Sequence, residues 1–390
     1  MKQRYLSESI AADLKSKMVF LGGPRQVGKT TIAKDIIGSG QKSQYYTWDK
    51  IDQRRRALKG EWDPESPLVL LDEFHKYTKW KTWIKGEYDT HKGRHQFLLT
   101  GSARLNVFRR GGDSLQGRYH YYRLHPFSLA EVLKKKNKIS PGKELVFQNY
   151  HAEDASAVET LLRFGGFPEP FLAQDERSWR RWINERHERF LKEDVRDLTR
   201  IQDIGNFSLL TELLPQRVGS ILSINSLSQD LQVNFRTASL WLDVLENFYY
   251  SYRLSPYASK KIAAVKKEKK LFLWDWSEIE NEAARFENMI GSHLLKLCHY
   301  LQDTEGWKTE LYYLRDHHGR EVDFMICQNQ KPWFAVEVKL NDESISPHLT
   351  YFREKLSIPY VYQIVKKGNV NVFKNSVHLM SADRFLNALV

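Results

Sequence analysis

Two cysteines, Cys298 and Cys327, are all that the 390 residues contain, and neither belongs to a C-x-x-C pair. A disulfide framework and a structural zinc site are thereby excluded as organising devices, and a reducing compartment fits. Long apolar runs are missing too: no stretch approaches the about 18 residues of a membrane span. The N-terminal MKQRYLSESIAADLK lacks the apolar centre of a signal peptide. The expectation is a soluble, cytoplasmic protein that makes no use of a membrane. Internal repeats and low-complexity tracts are absent. The histidines do not gather at metal-ligand spacings, since His91 and His95 flank Gly93 in a polar loop and His317 with His318 sits in a turn. No serine or cysteine nucleophile arrangement is evident.

What the chain has in excess is positive charge. Lys and Arg number 60 against 48 Asp and Glu, a formal net charge of +12. Such a field favours polyanions, with nucleic acid, and DNA within that class, as the expected partner; a merely basic surface is the bland alternative. Hydrophobic residues at 41% and aromatics at 13% suffice for packed cores. At this length more than one core is expected.

Residues 1–130 alternate short apolar strands (MVFLGG, PLVLLDE, HQFLLTGS) with helical stretches, the pattern of a parallel α/β sheet in a three-layer sandwich. Residues 131–204 read as helical. Residues 205–260 read helix, turn, helix, strand, with Leu227, Leu231, Leu240 and Leu245 at helical spacing around a polar turn, which predicts a winged helix. Its second helix, FRTASLWLDVLEN, offers Arg236 alone against Asp243 and Glu246, so a packing or subunit-contact role is favoured over groove reading. The lysines at 260, 261, 266, 267, 269 and 270, with Trp274 and Trp276 nearby, could hold and stack a nucleic-acid backbone, or be a solvated linker followed by core tryptophans. Residues 261–390 read as a further α/β domain.

Gly23-Pro24-Arg25-Gln26-Val27-Gly28-Lys29-Thr30 matches G-x-x-x-x-G-K-[ST] in full, after an apolar strand and before a helix. Glycines there let successive N–H groups face a β-phosphate, the helix N-terminus adds a favourable dipole, Lys29 reaches phosphate oxygens and Thr30 ligates magnesium. The strand PLVLLDE then delivers Asp72 to the magnesium shell and Glu73 to orient and deprotonate an attacking water. Thr100 and Ser102, at the end of HQFLLTGS, suit sensing of the γ-phosphate or the water, or serve as turn and cap residues.

By GPRQVGKTT (which includes Thr31), LLDE and LLTGSARL, the chain resembles the AAA+ ATPases, specifically a prokaryotic group near the signalling ATPases with numerous domains. That resemblance implies ATP and magnesium as cofactors and assembly into a homo-oligomer. It also implies that Pro168, in LRFGGFPEPF, packs near the adenine and that residues 131–204 form a helical lid. Arg118, and less surely Arg104, stand where such families place an arginine for the phosphoryl-transfer transition state, in the same subunit or a neighbouring one.

In EVDFMI and FAVEVKL, strand alternation puts Asp323 on one face of its strand and Glu337 with Lys339 on one face of the next. A hairpin through CQNQKPW brings Asp323 beside Glu337, and carboxylates so close repel unless a cation bridges them. Oxygen ligands suit magnesium or manganese, and Lys339 would position the nucleophile or stabilise a pentavalent phosphate. D-x13-E-x-K at a strand pair resembles the PD-(D/E)XK restriction-endonuclease-like superfamily, which implies a third acid on an earlier helix, matched by Glu287; Val322 stands where a proline is usual. The expected architecture is therefore a P-loop AAA+ three-layer sandwich with helical lid, winged helix and C-terminal restriction-endonuclease-like α/β domain. The expected activity is ATP hydrolysis coupled to binding, and cutting, of nucleic acid. The alternative is an ATP-controlled oligomerising switch whose end domain only binds DNA or protein.

Overall fold

A computed structural model describes residues 4–38, 42–101, 115–149, 151–195, 201–258 and 268–390. The chain divides into two compact units, Met1–His125 with Asn247–Tyr249, and Pro126–Glu246 with Tyr250–Val390.

The first unit is built on β1 (Met18–Gly22), β2 (Ser43–Thr47), β3 (Leu68–Asp72), β4 (Gln96–Thr100) and β5 (Tyr119–Arg123). These form one parallel sheet in the order β2-β3-β4-β1-β5. β1 and β3 are buried along their whole length, which is why MVFL and LVLL are unbroken apolar runs: a parallel strand covered on both faces has no side to give to water. Helices α1 (Ser7–Asp13), α2 (Lys29–Gly38), α3 (Ile51–Leu58) and α4 (Trp80–His91) accompany the sheet. One core cluster joins Phe20, Val69, Leu71, Phe97 and Leu99 of the strands to Ala57 of α3 and to Trp80, Ile84 and Tyr88 of α4. Because β4 lies between β1 and β3, the ends of all three strands converge at one edge of the sheet.

The second unit joins regions that the sequence reading separates. Helices Ala152–Phe164, Pro168–Ala173 and Glu176–Arg189 are followed by Ile204–Leu213, Ile224–Asp230 and Phe235–Asn247. Next comes an antiparallel pair, β6 (Ser251–Leu254) with β7 (Lys270–Leu273), which spans the boundary expected between 260 and 261. The 24-residue helix Glu282–Glu305 leads into β8 (Thr309–Arg315), β9 (Glu321–Gln328), β10 (Lys331–Lys339), β11 (Tyr360–Val365), β12 (Asn371–Lys374) and β13 (Val377–Ser381). Their sheet runs β12-β13-β11-β10-β9-β8. The hairpin between β9 and β10 turns at Asn329 and Gln330, both left-handed at φ 49° and 64°.

One expectation needs correction, and one pair of alternatives is resolved. Beyond Val132 the stretch 133–149 contains no helix. LKKKNKISPGKEL has no apolar periodicity and carries Pro141-Gly142, so it runs as an extended strap. Its backbone and side chains dock on the C-terminal region: Asn137 donates to the carbonyls of Asn387 and Leu389, both at 2.7 Å, and Trp333 Nε1 donates to Lys143 O at 2.7 Å. Trp274 and Trp276 are not stacking platforms but core residues, 5% and 1% exposed, and Trp276 Nε1 donates to Leu161 O at 2.6 Å.

Several charged groups buried in this unit are matched by partners of opposite charge or by hydrogen bonds. Arg186 bridges Asp275 and Glu278, each at 2.9 Å. Lys296 donates to Pro126 O (3.1 Å), Ser128 Oγ (2.8 Å) and Glu131 Oε2 (2.6 Å). His293, one turn before Lys296, is held neutral: Nδ1 donates to Met289 O at 2.7 Å, while Nε2 accepts the N–H of Leu129 at 3.1 Å. Burial, with Lys296 adding to it, lowers its pKa to about 4.

The unfolded chain binds a proton at this histidine below pH about 6.5 that the folded chain refuses until about pH 4, so stability falls as pH drops through that window. Between pH 7 and pH 5 the loss from His293 is about 2 kcal/mol. Urea unfolding at the two pH values should show a loss smaller by that amount in His293→Gln than in wild type. An equal loss in both proteins would contradict the assignment.

Candidate functional site

At the end of β1 the chain enters the loop Gly23–Gly28, and α2 begins at Lys29. Gly23 has φ 150°, and a Cβ there would lie 2.5 Å from Leu124 O. Gln26 and Gly28 are left-handed as well, at φ 60° and 98°. The loop is latched from outside: Arg4 donates to Val27 O at 2.7 Å and to His125 O at 2.6 Å. Lys29 is buried, and its ammonium donates to Gly23 O (2.9 Å) and Pro24 O (2.7 Å).

Asp72, at the end of β3, gathers three hydroxyls. Its Oδ2 accepts from Thr30 Oγ1 at 3.0 Å and from the Tyr45 hydroxyl at 2.7 Å, and its Oδ1 accepts from Thr100 Oγ1. The β3–β4 register, Asp72 opposite Thr100, sets the last of these. Glu73 follows in a left-handed conformation, φ 58°, with its N–H donating to Thr100 O at 3.1 Å. Its Oε2 is buried and accepts no hydrogen bond among the described residues, with His75 Nε2 at 3.5 Å. Burial raises the Glu73 carboxyl above its ordinary value, Lys29 pulls it back and Asp72 pushes it further up. The result is a carboxylate that accepts a proton more readily than usual, beside a second that is fully hydrogen-bonded.

The structure therefore brings together Lys29, Thr30, Asp72, Glu73 and Thr100, with Pro24, Arg25, Gln26 and Val27 in the loop between the glycines. Thr31 is exposed on α2. Ser102 and Arg104 lie outside the described residues. Pro168 opens the helix Pro168–Ala173 in the other unit.

Arg118 is not at this site within its own unit. Tyr119 pairs with Met18 at the start of β1, whereas the loop leaves from Gly22, opposite Arg123. Five residue steps of strand, about 16 Å, separate Arg118 from the loop's edge of the sheet. Its guanidinium is fastened to Asp89 of α4 by two hydrogen bonds of 2.8 and 3.0 Å. Arg4 and Tyr45 escape the sequence reading, because neither stands in a motif and each reaches the site through the fold.

The second cluster of charges lies in the other unit. With Phe324 opposite Val336, the β9–β10 hairpin sets Asp323 level with Glu337, and Asp323 Oδ2 accepts the Val338 N–H at 2.8 Å. Glu337 pairs with Lys339 two residues on, at 2.8 Å. At the centre stands a residue that sequence reasoning assigned to an exposed lysine run. Lys270, the first residue of β7, is 2% exposed and directs its ammonium at Glu321 (2.5 Å), Glu287 (3.4 Å) and Asp323 (3.7 Å). Of the other lysines in that run, Lys269 is exposed and 260, 261, 266 and 267 lie outside the described residues. Alternation in EVDF puts Glu321 on the face of Asp323, a signal present in the sequence.

Burial opposes charge on Lys270, but Glu287, Asp323 and Glu321 outweigh it and raise its pKa. Burial and Asp323 together push the Glu287 and Glu337 carboxyls up. Among the described residues no group of three or more His, Cys, Asp and Glu side chains is placed to hold a metal ion. Where a ring of Glu287, Asp323 and Glu337 around a divalent cation is expected, the described residues set the Lys270 ammonium beside the first two, and Glu337 Oε1 on Lys339 with Oε2 buried and without a hydrogen bond.

Residues 15–133 match the family model of an AAA domain, so the first unit contains an AAA-type P-loop domain. Residues 155–278 and 283–385 match two models described as domains of unknown function. An uncharacterized protein of Mycobacterium tuberculosis is 22% identical over 341 residues, covering 83% of this chain and 70% of that protein. An uncharacterized protein of Methanocaldococcus jannaschii is 26% identical over 294 residues, covering 66% and 61%. Among solved structures, a Thermotoga maritima RuvB variant aligns at 17% identity over 64% of this chain and 87% of that one, with a TM-score of 0.30. No helix among the described residues is long and apolar enough to cross a membrane.

Replacing Arg4 by Met removes the two charge-assisted hydrogen bonds that tie Val27 of the loop to His125 and should weaken binding of a fluorescent ATP analogue about ten-fold or more. Replacing Arg118 by Met should leave that affinity within about two-fold, because its partner is a surface carboxylate. The reverse order would show that the latch is misassigned.

Proposed function

We propose that the chain is a magnesium-dependent ATP hydrolase whose turnover serves an interaction with nucleic acid, DNA in the first instance. One observation carries the reading: Asp72 holds Thr30 and Thr100 from either side while the adjacent Glu73 keeps a proton-accepting carboxyl oxygen without a hydrogen bond.

The donor set fits the cofactors. Hard oxygens of Thr30 and Asp72 suit Mg2+, and the ammonium of Lys29, satisfied by two loop carbonyls, is the group that phosphate oxygens would claim. Bound Mg2+ would supply charge neutralisation at the transferring phosphoryl group. The chain's own residues do the rest. Arg4 fixes the loop so that its N–H groups stay directed at a phosphate. Thr100 orients Asp72 through the sheet register. Glu73, its carboxyl raised, orients a water and takes its proton, with His75 beside it. An arginine contributed by a neighbouring copy would complete the charge compensation, and Arg118 can serve only in that way. The net charge of +12 supports a polyanionic partner.

The second reading, a nucleotide-controlled oligomerising switch whose end region binds without cutting, is favoured by the position of Lys270 among the carboxylates.

ATP hydrolysis, measured with and without DNA, should fall about 100-fold or more in Glu73→Gln while nucleotide binding persists. Lys29→Ala should lose binding itself. Hydrolysis that survives in both variants would refute the ATPase reading. Hydrolysis that responds to nucleotide-driven assembly but never to DNA would leave the switch.

A further inference from the structure

Three carboxylates, Glu287, Glu321 and Asp323, face a single buried ammonium. The hairpin strand that supplies it is fixed on both sides: Lys270 pairs with Leu254 of β6 and bridges to Ile221, so its Cα cannot slide away from the cluster. The stem runs beside Tyr313, whose ring centre lies 5.6 Å from the ammonium. Glu321 is held a second time by Arg315 at 2.7 Å, and Asp323 spends its other oxygen on the Val338 N–H. Glu337 Oε1 pairs with Lys339, while its buried Oε2 has no hydrogen bond among the described residues. Each residue that a metal-dependent phosphodiester cleavage would draw on thus already has at least one partner within the protein.

A divalent ion needs several oxygens within about 2.0–2.6 Å. The oxygens around Lys270 stand 2.5, 3.4 and 3.7 Å from its nitrogen, and an added dication among them would meet that ammonium at short range with little water to screen it. We infer that Lys270 is the resident cation of this cluster, in the place of a metal ion, and that the end region of the chain binds its partner without metal-dependent cutting. This deepens the second reading above and does not depend on the ATPase assignment.

The test is Mn2+ binding to the full chain without nucleotide, followed by electron paramagnetic resonance, in wild type, Asp323→Ala, Lys270→Met and the Lys270→Met/Asp323→Ala double variant. Any Mn2+ held near the phosphate loop is common to all four, so the readout is the component that depends on Asp323. Wild type should show none at millimolar Mn2+, and Lys270→Met should gain one site that the double variant loses. An Asp323-dependent site in wild type, or DNA cleavage by wild type that Asp323→Ala abolishes, would overturn the inference. A folded Lys270→Met that gains no site would overturn the assignment of Lys270 as the group that keeps the metal out. Should Lys270→Met not fold by circular dichroism, the comparison of wild type with Asp323→Ala still decides. ATP hydrolysis measured on the same samples separates failure here from failure of the ATPase reading.

Discussion

The cost of taking charge out of water governs both units of this protein. An unpaired buried ion costs several kcal/mol, so each one that the sequence places inside a strand or helix must find a counter-charge or hydrogen bonds. Lys29 finds two carbonyls of its own loop, Asp72 three hydroxyls, Lys270 three carboxylates, Lys296 a carboxylate with two further oxygens, and Arg186 two carboxylates. The difference between these solutions is functional. At the phosphate loop the two carbonyls that hold Lys29 are neutral and exchangeable for phosphate oxygens. At Lys270 they are ionic and already closed on themselves.

How much of this is legible in the sequence depends on whether the chemistry is local. The phosphate loop, the strand ending in Asp72-Glu73 and the hydroxyl of Thr100 are readable because each motif contains its own geometry: a strand, a turn that only glycine permits, a helix start. Arg118 stands where the family resemblance expects a transition-state arginine, yet within its own unit it lies at the edge of the sheet away from the phosphate loop. Only the parallel register of β5 on β1 reveals this. Arg4 reaches the loop from a segment with no motif. Lys270 is the instructive case, since five other lysines in the same run made it look solvated. The apolar LFLW that follows it is the signal that marks it as the first residue of a buried strand.

The region after the first unit shows the same limit. The boundaries expected at 131, 205 and 261 follow real changes of composition, yet the strap 133–149, the helices and the final sheet pack as one unit. Sequence patterns report what a segment does with its neighbours along the chain. They are silent on Asn137 bonding residues 387 and 389, and on Trp333 bonding Lys143. Proline and glycine at 141 and 142 disfavour a helix there.

The most direct measurement is a crystal structure of the full chain grown with an unhydrolysable ATP analogue and Mn2+, read by anomalous scattering. The account predicts Mn2+ signal beside Thr30 and Asp72, Lys29 turned from its loop carbonyls to the phosphates, and no signal among Glu287, Glu321 and Asp323, where Lys270 remains. A metal peak in that second cluster with Lys270 displaced, or nucleotide absent from the loop, would contradict it.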